Sequence, residues 1–389
     1  MNFVFISPHF PPNYYRFCLH LNYLGVNVLG LADEPYDFLN PELRSTLSEY
    51  YKVNNLHNYD ELVRALGYLT HQYGKIDRLD SLNEYWLETE AKLRTDFNIP
   101  GLKLGEIGQV KRKSLMKETF IKHQIPVAKG KIINKIGDSH RFIDEVGYPV
   151  VAKPDIGVGA SKTYKINHLE ELKNFFDQKP DVDYIFEEFI PGTINTFDGL
   201  TDKNGDLVFS SSLQYSQGVM EAVNNDGLIY YYTLREIPAD LEELGRKTLK
   251  AFGVKERFFH FEYFRTVDNE LIALEVNMRP PGGMTTDMFN YANDIDIYGE
   301  WAHVIVHNRF TADFTRPYHC CYIGRKENRY YSHSHEEILQ QFGAKLVHHE
   351  EISGVFSQAL GDYGYLVRSP ELDEIMEMVD FVHKLSKDE

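Results

Sequence analysis

Glu262, Glu275, Asn277 and Arg279 lie in one short stretch, Phe258 to Gly283, that reads FFHFEYFRTVDNELIALEVNMRPPGG. Two apolar-rich runs of β-forming residues flank Asp268-Asn269, a pair that tolerates the positive φ of a tight hairpin turn. With those two residues as the turn, Val267 pairs with Glu270. Counting outward then sets Glu262 directly across from Glu275, and His260 across from Asn277. Like charges directly opposite destabilise a strand pair, so a positive charge is expected between the two glutamates. Period-two alternation puts Asn277 and Arg279 on the same face as Glu275. Two carboxylates and an amide oxygen make an oxygen-rich donor set, suited to Mg²⁺ or Mn²⁺ rather than zinc. Arg279 is then a fixed positive charge for a phosphate or a charged intermediate. The alternative is a solvated hairpin whose acids face water. The surrounding Phe258, Phe259, Phe261, Phe264, Leu274, Val276 and Met278 give the strands a buried character, and buried acids must be paired, protonated or metal-bound.

The rest of the chain must position this hairpin. At 389 residues it is long enough for two or three domains. Hydrophobic residues make up 43% and charged ones 25%, as in soluble globular proteins. No apolar run has membrane-spanning length, and the opening MNFVFISPHFPP lacks a basic n-region and a small-residue cleavage site. A net charge of −17 argues against nucleic acid or an anionic membrane as partner. Cys18, Cys320 and Cys321 form no disulfide framework, which fits a reducing cytoplasm.

Residues 2–6 read as a strand, Tyr15 to Leu24 as a helix and Val26 to Leu31 as a strand, a βαβ opening. The loop Ser7-Pro8-His9-Phe10-Pro11-Pro12-Asn13 has no glycine and is not a dinucleotide fingerprint. It lies at the carboxyl end of the first strand, where open α/β sheets place ligands, so His9 is a candidate substrate contact. A basic amphipathic helix spans Gly108 to Lys122, with Lys111, Arg112, Lys113 and Lys117 near its front. Tyr148 to Pro154 is an apolar strand ending in Lys153, followed by the small-residue loop Asp155-Ile156-Gly157-Val158-Gly159-Ala160-Ser161-Lys162. Backbone N–H groups in such a loop can wrap phosphate oxygens. It is not a Walker loop, because the lysine precedes the glycines. Tyr184 to Gly192 is a strand running into a turn, and Leu241 to Phe252 is a helix before the hairpin. A helix at Asp296 to His307 follows. Beyond it, strands are expected near Tyr318 to Ile323, Gly354 to Leu360 and Tyr363 to Arg368, then a helix at Glu371 to Leu385. His333, His335, His348 and His349 look like a metal cluster, but their loop context favours simple exposure.

The ordered set of helix lysine, strand lysine before a glycine loop, Glu187-Glu188-Phe189-Ile190-Pro191-Gly192, and Glu…Glu-x-Asn-x-Arg resembles the ATP-grasp superfamily over roughly residues 100–310. The resemblance implies a mixed α/β and α+β multidomain protein. Its parts would be an N-terminal doubly wound α/β domain (1–105), a central ATP-grasp fold of two α+β lobes (106–310; small lobe about 125–190, large lobe about 191–310) and a small C-terminal α+β domain (311–389). It implies that Lys113 and Lys153 bind ATP phosphates under a closing loop of Gly157, Gly159 and Ser161. Glu187 would bond the adenine amino group, and the Glu188, Phe189 and Ile190 backbone the ring edge. Glu262, Glu275 and Asn277 would hold Mg²⁺ (or Mn²⁺), and Arg279 would serve catalysis at an acyl phosphate. Many relatives carry a second acid for the ribose where this chain has Thr193-Ile194-Asn195, so Asn195 is the substitute. The acceptor pocket of the family borders the arginine strand, which makes Pro280, Pro281, Gly282, Gly283, Met284 and Asp287 lining candidates. Gln214, Tyr215, Ser216 and Arg235 lie in segments that could face it, and Arg235 could pair with a substrate carboxylate. The implied reaction joins a small carboxylate to an amine with release of ADP and phosphate, an amino acid being the first choice of substrate. Alternatives are a small-molecule kinase or a non-catalytic MgATP-binding subunit, and by analogy a homodimer is possible.

Overall fold

The computed structural model of the chain describes residues 1–157, 162–216, 227–352 and 354–386. Among these, three sheets organise the molecule. The first is parallel, in the order β3 (Glu49–Lys52), β2 (Asn27–Ala32), β1 (Asn2–Ile6), β4 (Arg78–Asp80). The central strands β1 and β2 are buried on both faces, as a covered parallel sheet requires. One face packs on the helices Tyr59–Tyr73 and Leu87–Asp96 through Leu62, Leu66, Leu69 and Leu93. The other face shares a core with the later helix Ile297–His307: Phe3 and Phe17 meet Trp301 edge-on at 5.7 and 5.0 Å. The N-terminal unit is therefore welded to the rest of the chain by aromatic burial, each such side chain contributing on the order of 2 kcal/mol.

The second sheet is antiparallel, in the order β5 (Gly130–Ile132), β8 (Tyr184–Glu188), β6 (Val150–Pro154), β7 (Tyr164–Ile166). Helices Ile136–Val146 and Leu169–Gln178 cover one face around Phe142, Leu172, Phe175 and Phe186. The third is nine-stranded. Its path is β14 (Leu271–Asn277), β13 (Phe258–Arg265), β9 (Thr193–Thr201), β11 (Leu213–Tyr215), β12 (Tyr230–Thr233), β15 (His319–Arg325), β17 (Tyr363–Ser369), β16 (Leu346–Glu351). β10 (Leu207–Ser211) pairs off β9.

β12 pairs with β15, so the nine-stranded sheet runs unbroken across residue 310. Two expectations change. Gly354–Leu360 is a helix, not a strand. The basic helix is two: Gly108–Lys111 and Lys113–Lys122, parted by Arg112 in an extended conformation. The break is made from outside. Asp155, at the end of β6, accepts the Ser114 N–H at 2.8 Å on its side chain and the Lys113 N–H at 2.9 Å on its carbonyl. Those are the orphan donors of a helix start, here capped by a residue of the small lobe.

Candidate active site

The hairpin of β13 and β14 pairs Glu262 with Glu275 and His260 with Asn277, as expected. The route differs at two points. The turn is three residues, Val267-Asp268-Asn269, closed by Thr266 N–H to Glu270 O at 2.9 Å, with Asn269 at φ 63°. That shifts the ladder by one, so that Tyr263 faces Ala273. A bulge at Leu274 shifts it back before Glu262. Bulges commonly re-aim side chains beside functional sites, and this one adjoins Glu275.

β9 supplies the third column. Thr196 lies across from Glu262 and Asp198 across from His260. One sheet face therefore carries two polar rungs, Thr196–Glu262–Glu275 and Asp198–His260–Asn277. The opposite face carries Phe197, Phe259, Phe261, Tyr263 and Val276 in an apolar core. His260 Nδ1 contacts Asp198 Oδ1 at 2.6 Å and His260 Nε2 contacts Glu262 Oε1 at 2.9 Å. Burial alone would lower the His260 pKa, but Asp198 and Glu262 outweigh it and push it up to about 9, so the ring is an imidazolium at neutral pH. Burial would raise the Glu262 pKa, yet His260, Arg279 and Lys153 hold it below the ordinary value.

Helix Lys113–Lys122 lies against β14, where the Val276 N–H donates to Met116 Sδ at 3.2 Å. Lys113, one turn earlier, reaches Glu275 Oε1 with its Nζ at 3.3 Å and the Gly157 carbonyl at 3.3 Å. From the small lobe, Lys153 Nζ meets Glu187 Oε2 at 2.7 Å and Lys117 Nζ meets Glu187 Oε1 at 3.0 Å. Lys117 also donates to the Ala128 carbonyl at 2.5 Å. Lys113, Lys117, Lys153 and Glu187 are 9, 5, 7 and 7% exposed, a concentration of buried charge that only mutual pairing makes tolerable. Burial works against the Glu187 carboxylate, but Lys153 and Lys117 hold its pKa down at about 2. Burial likewise opposes the Lys153 ammonium, and Glu187, Glu275 and Glu262 raise its pKa nonetheless. β8 ends at Glu188, which leaves Phe189 and Ile190 off the ladder; Lys165 sits 3.8 Å over the Phe189 ring.

The structure thus brings together Lys113, Lys153, Gly157, Glu187, Glu262, Glu275 and Asn277, with Arg279 one strand step beyond. The Arg279 charge is felt by Glu262, Glu84, Tyr14 and Tyr215, and its Nη1 donates to the Pro280 carbonyl at 2.8 Å. Gly159 and Ser161 lie outside the described residues.

Other expected residues sit elsewhere. Asn195 pairs with Tyr263 and so projects from the face opposite Glu262, where it is buried. Arg235 is not a pocket residue: it donates to the carbonyls of Arg316 at 3.2 Å and Pro370 at 2.7 Å, tying the end of β12 to the closing segment. Met284 is core. Gly283, at φ 63°, faces Leu360 and the Tyr231 hydroxyl, while Gly282 opens onto free space. Asp287 is committed to the N-terminal unit, its Oδ1 to Arg16 at 2.5 Å and its Oδ2 to Asn13 Nδ2 at 3.0 Å. His9 is half-buried beside Asp33 and Glu34, its Nδ1 without a partner. Tyr215 stacks on Tyr231, which stacks on Tyr322. Of His333, His335, His348 and His349, His349 is exposed and the other three are half-buried; His335 pairs with the Tyr365 hydroxyl, His349 with that of Tyr363 and His348 with Glu350, and His333 stacks on Phe381.

Sequence reasoning gave Lys117 no site role and missed Asp198 and Glu84. Lys117 follows Lys113 by one helical turn, and that spacing signals a shared face. Glu84 pairs with Lys111 at 3.1 Å and leaves Oε2 buried without a partner; burial raises its pKa against Lys111 and Arg279. Among the described residues no group of three or more His, Cys, Asp or Glu forms a metal site. What the chain offers a cation is the all-oxygen set of Glu262, Glu275 and Asn277. The Lys113 ammonium against Glu275 shows that a positive charge is accommodated there, so the set fits a hard divalent ion.

With this geometry in view, residues 146–287 match the family model of the ATP-grasp domain. The chain carries an ATP-grasp domain, with the carboxylate hairpin and the Lys153 strand both inside it. The L-arginine-specific L-amino acid ligase of Bacillus subtilis is 23% identical over 249 residues, 60% of this chain. That match spans 59% of the relative's length. The L-amino acid ligase of Bacillus licheniformis superposes with a TM-score of 0.76 at 14% identity, over 97% of this chain and 95% of that one. The biotin carboxylase domain of Hydrogenobacter thermophilus 2-oxoglutarate carboxylase, a dimer in complex with MgADP, ADP and bicarbonate, gives 0.71 at 16% identity, over 99% and 90%. Among the described residues no helix is long and apolar enough to cross a membrane.

Proposed function

We propose that this chain is an ATP-dependent ligase that activates a carboxylate as an acyl phosphate and joins it to an amine, releasing ADP and phosphate. An amino acid is the substrate class put first, which the two amino acid ligase relatives support. The observation that carries the reading is the convergence of two lobes. Buried Lys113 and Lys153 meet the carboxylates Glu275 and Glu187 at 3.3 and 2.7 Å, beside the cross-strand pair Glu262–Glu275 and Arg279. Phosphoryl transfer needs positioning and charge neutralisation more than covalent participation, and these residues supply both.

Lys113 and Lys153 neutralise phosphate oxygens. Glu187 spends two of its roughly four lone-pair sites on Lys117 and Lys153, leaving acceptor capacity for the adenine amino group. The Glu188, Phe189 and Ile190 backbone takes the ring edge. Glu262, Glu275 and Asn277 would hold magnesium, as support from the MgADP-bound relative suggests. When bound, that ion offsets the charge of the transferred phosphate group. Arg279 stabilises the acyl phosphate and the tetrahedral state formed as the amine attacks. A homodimer is the proposed assembly, on the precedent of the dimeric carboxylase domain. The buried, unbridged Cys18, Cys320 and Cys321 support a cytoplasmic setting.

The test is Mg²⁺-dependent ADP and phosphate release against pooled amino acids and small carboxylic acids, with mass spectrometry of the same samples. Pool-dependent ADP and phosphate with a condensation-product mass are expected. ADP with a phosphorylated product and no free phosphate would replace the ligase with a kinase.

A further inference from the structure

A carboxylate in full burial needs a partner for each oxygen, and Asp198 (0% exposed) has them: His260 on Oδ1 at 2.6 Å and the Thr196 hydroxyl on Oδ2 at 2.5 Å. The Thr196 hydroxyl oxygen in turn accepts the Leu213 N–H at 2.9 Å, which locks this arrangement to β11. His260, 3% exposed, is held by Asp198 at one nitrogen and presents the other to Glu262 at 2.9 Å. Nothing in hairpin stability calls for this row. An apolar trio at Thr196, Asp198 and His260 would bury the same surface without desolvating a carboxylate. The row does one thing an apolar trio would not, which is to fix which way the Glu262 carboxylate points. Ligating carboxylates are oriented by hydrogen bonds of this kind from the layer behind them.

We infer that Asp198 and His260 are positioning residues that aim Glu262: His260 engages Oε1, so that the other oxygen is presented to the cation. The inference rests on the proposed metal role of Glu262. It gives three buried polar residues on two strands a task in the reaction although none of them meets substrate.

The test is Mn²⁺ binding to the protein–ADP complex, read from the free-ion paramagnetic resonance signal. Metal-free ADP affinity and thermal midpoint are measured alongside. His260→Leu is expected to weaken Mn²⁺ binding about 10- to 100-fold with metal-free ADP affinity unchanged. His260→Gln, whose amide can replace Nε2 as donor to Glu262, is expected to recover most of the loss. His260→Asn, which replaces only the donor to Asp198, is expected not to. Thr196→Val, isosteric and acting through its bond to Asp198, is expected to give a smaller loss in the same direction, and it serves if the leucine variant does not fold. Wild-type Mn²⁺ affinity in His260→Leu, or in Thr196→Val if that stands in, with affinity lost in Glu262→Gln, overturns the inference and leaves the metal role of Glu262 standing. Wild-type affinity in Glu262→Gln overturns both.

Discussion

Glu187 is the residue on which the nucleotide side of the site balances. It lies between two buried lysines, and without its charge both ammonium groups would be unpaired in a low-dielectric setting. Glu187→Gln is therefore expected to destabilise the protein by about 3 kcal/mol at neutral pH. Its folded pKa of about 2 lies below the unfolded value, so its contribution is fully present above about pH 4.5 and fades as pH falls toward 2. Urea denaturation should show a wild-type advantage over Glu187→Gln that is full at pH 6 and narrower at pH 3; a constant gap would contradict the ion-pair account. Gly130 is tied to the same contact. A Cβ there would meet Glu187 Cγ and Lys117 Cε at 2.9 Å each and the Phe186 carbonyl oxygen at 3.0 Å. Gly130→Ala should cost about 1–3 kcal/mol and weaken ADP binding, measurable by thermal melts and calorimetry. Residue types indicated the hairpin acids, and the family resemblance indicated Lys113, Lys153 and Glu187. They could not choose between lysines one turn apart, nor show that Arg235 would be taken up by two backbone carbonyls.

At the scale of elements, the hairpin register was legible although its turn was not. A two-residue turn gives Glu262 opposite Glu275. The chain reaches the same pair with a three-residue turn and a one-residue bulge, two offsets of opposite sense. The polar residues must share one face while Phe259, Phe261 and Tyr263 share the other, and a one-residue slip would exchange them. Pattern fixed the outcome where turn chemistry did not. The pairing of Asp198 with His260 was hidden because β9 lies some sixty residues upstream, and nothing local specifies its register. The break at Arg112 was hidden for the same reason, since its cap comes from Asp155. Asp155→Ala should cost roughly 1 kcal/mol and, by loosening the first turn that carries Lys113, reduce ADP affinity. Asp155→Asn retains an acceptor and should recover most of both. Unchanged ADP affinity in the alanine variant, by calorimetry, would detach the cap from the site.

For the whole molecule, the N-terminal sheet and the large sheet act as one frame because charged clamps add direction to their apolar contacts. Arg78 meets Glu256 with two bonds of 2.7 and 2.9 Å, joining the N-terminal sheet to the loop before β13. Close by, Arg257 reaches Asp80 at 3.0 Å. A double-mutant cycle on Arg78 and Glu256 should return a coupling of about 1–2 kcal/mol in urea denaturation; coupling near zero would mean that apolar packing alone docks the N-terminal unit. Sequence patterns gave the βαβ opening. The extension of the large sheet by β15, β17 and β16 was not visible, because strand partners that far apart leave no local trace. All of this architecture serves to gather Lys113, Lys153, Glu187 and Glu275 at one site, and the most direct test is at Glu275. Wild type and Glu275→Gln would be compared for amino-acid-dependent ADP and phosphate formation, with ADP affinity measured on the same preparations. The account predicts turnover reduced at least about 100-fold in the variant, with ADP binding only weakened. Unchanged turnover in Glu275→Gln would contradict it.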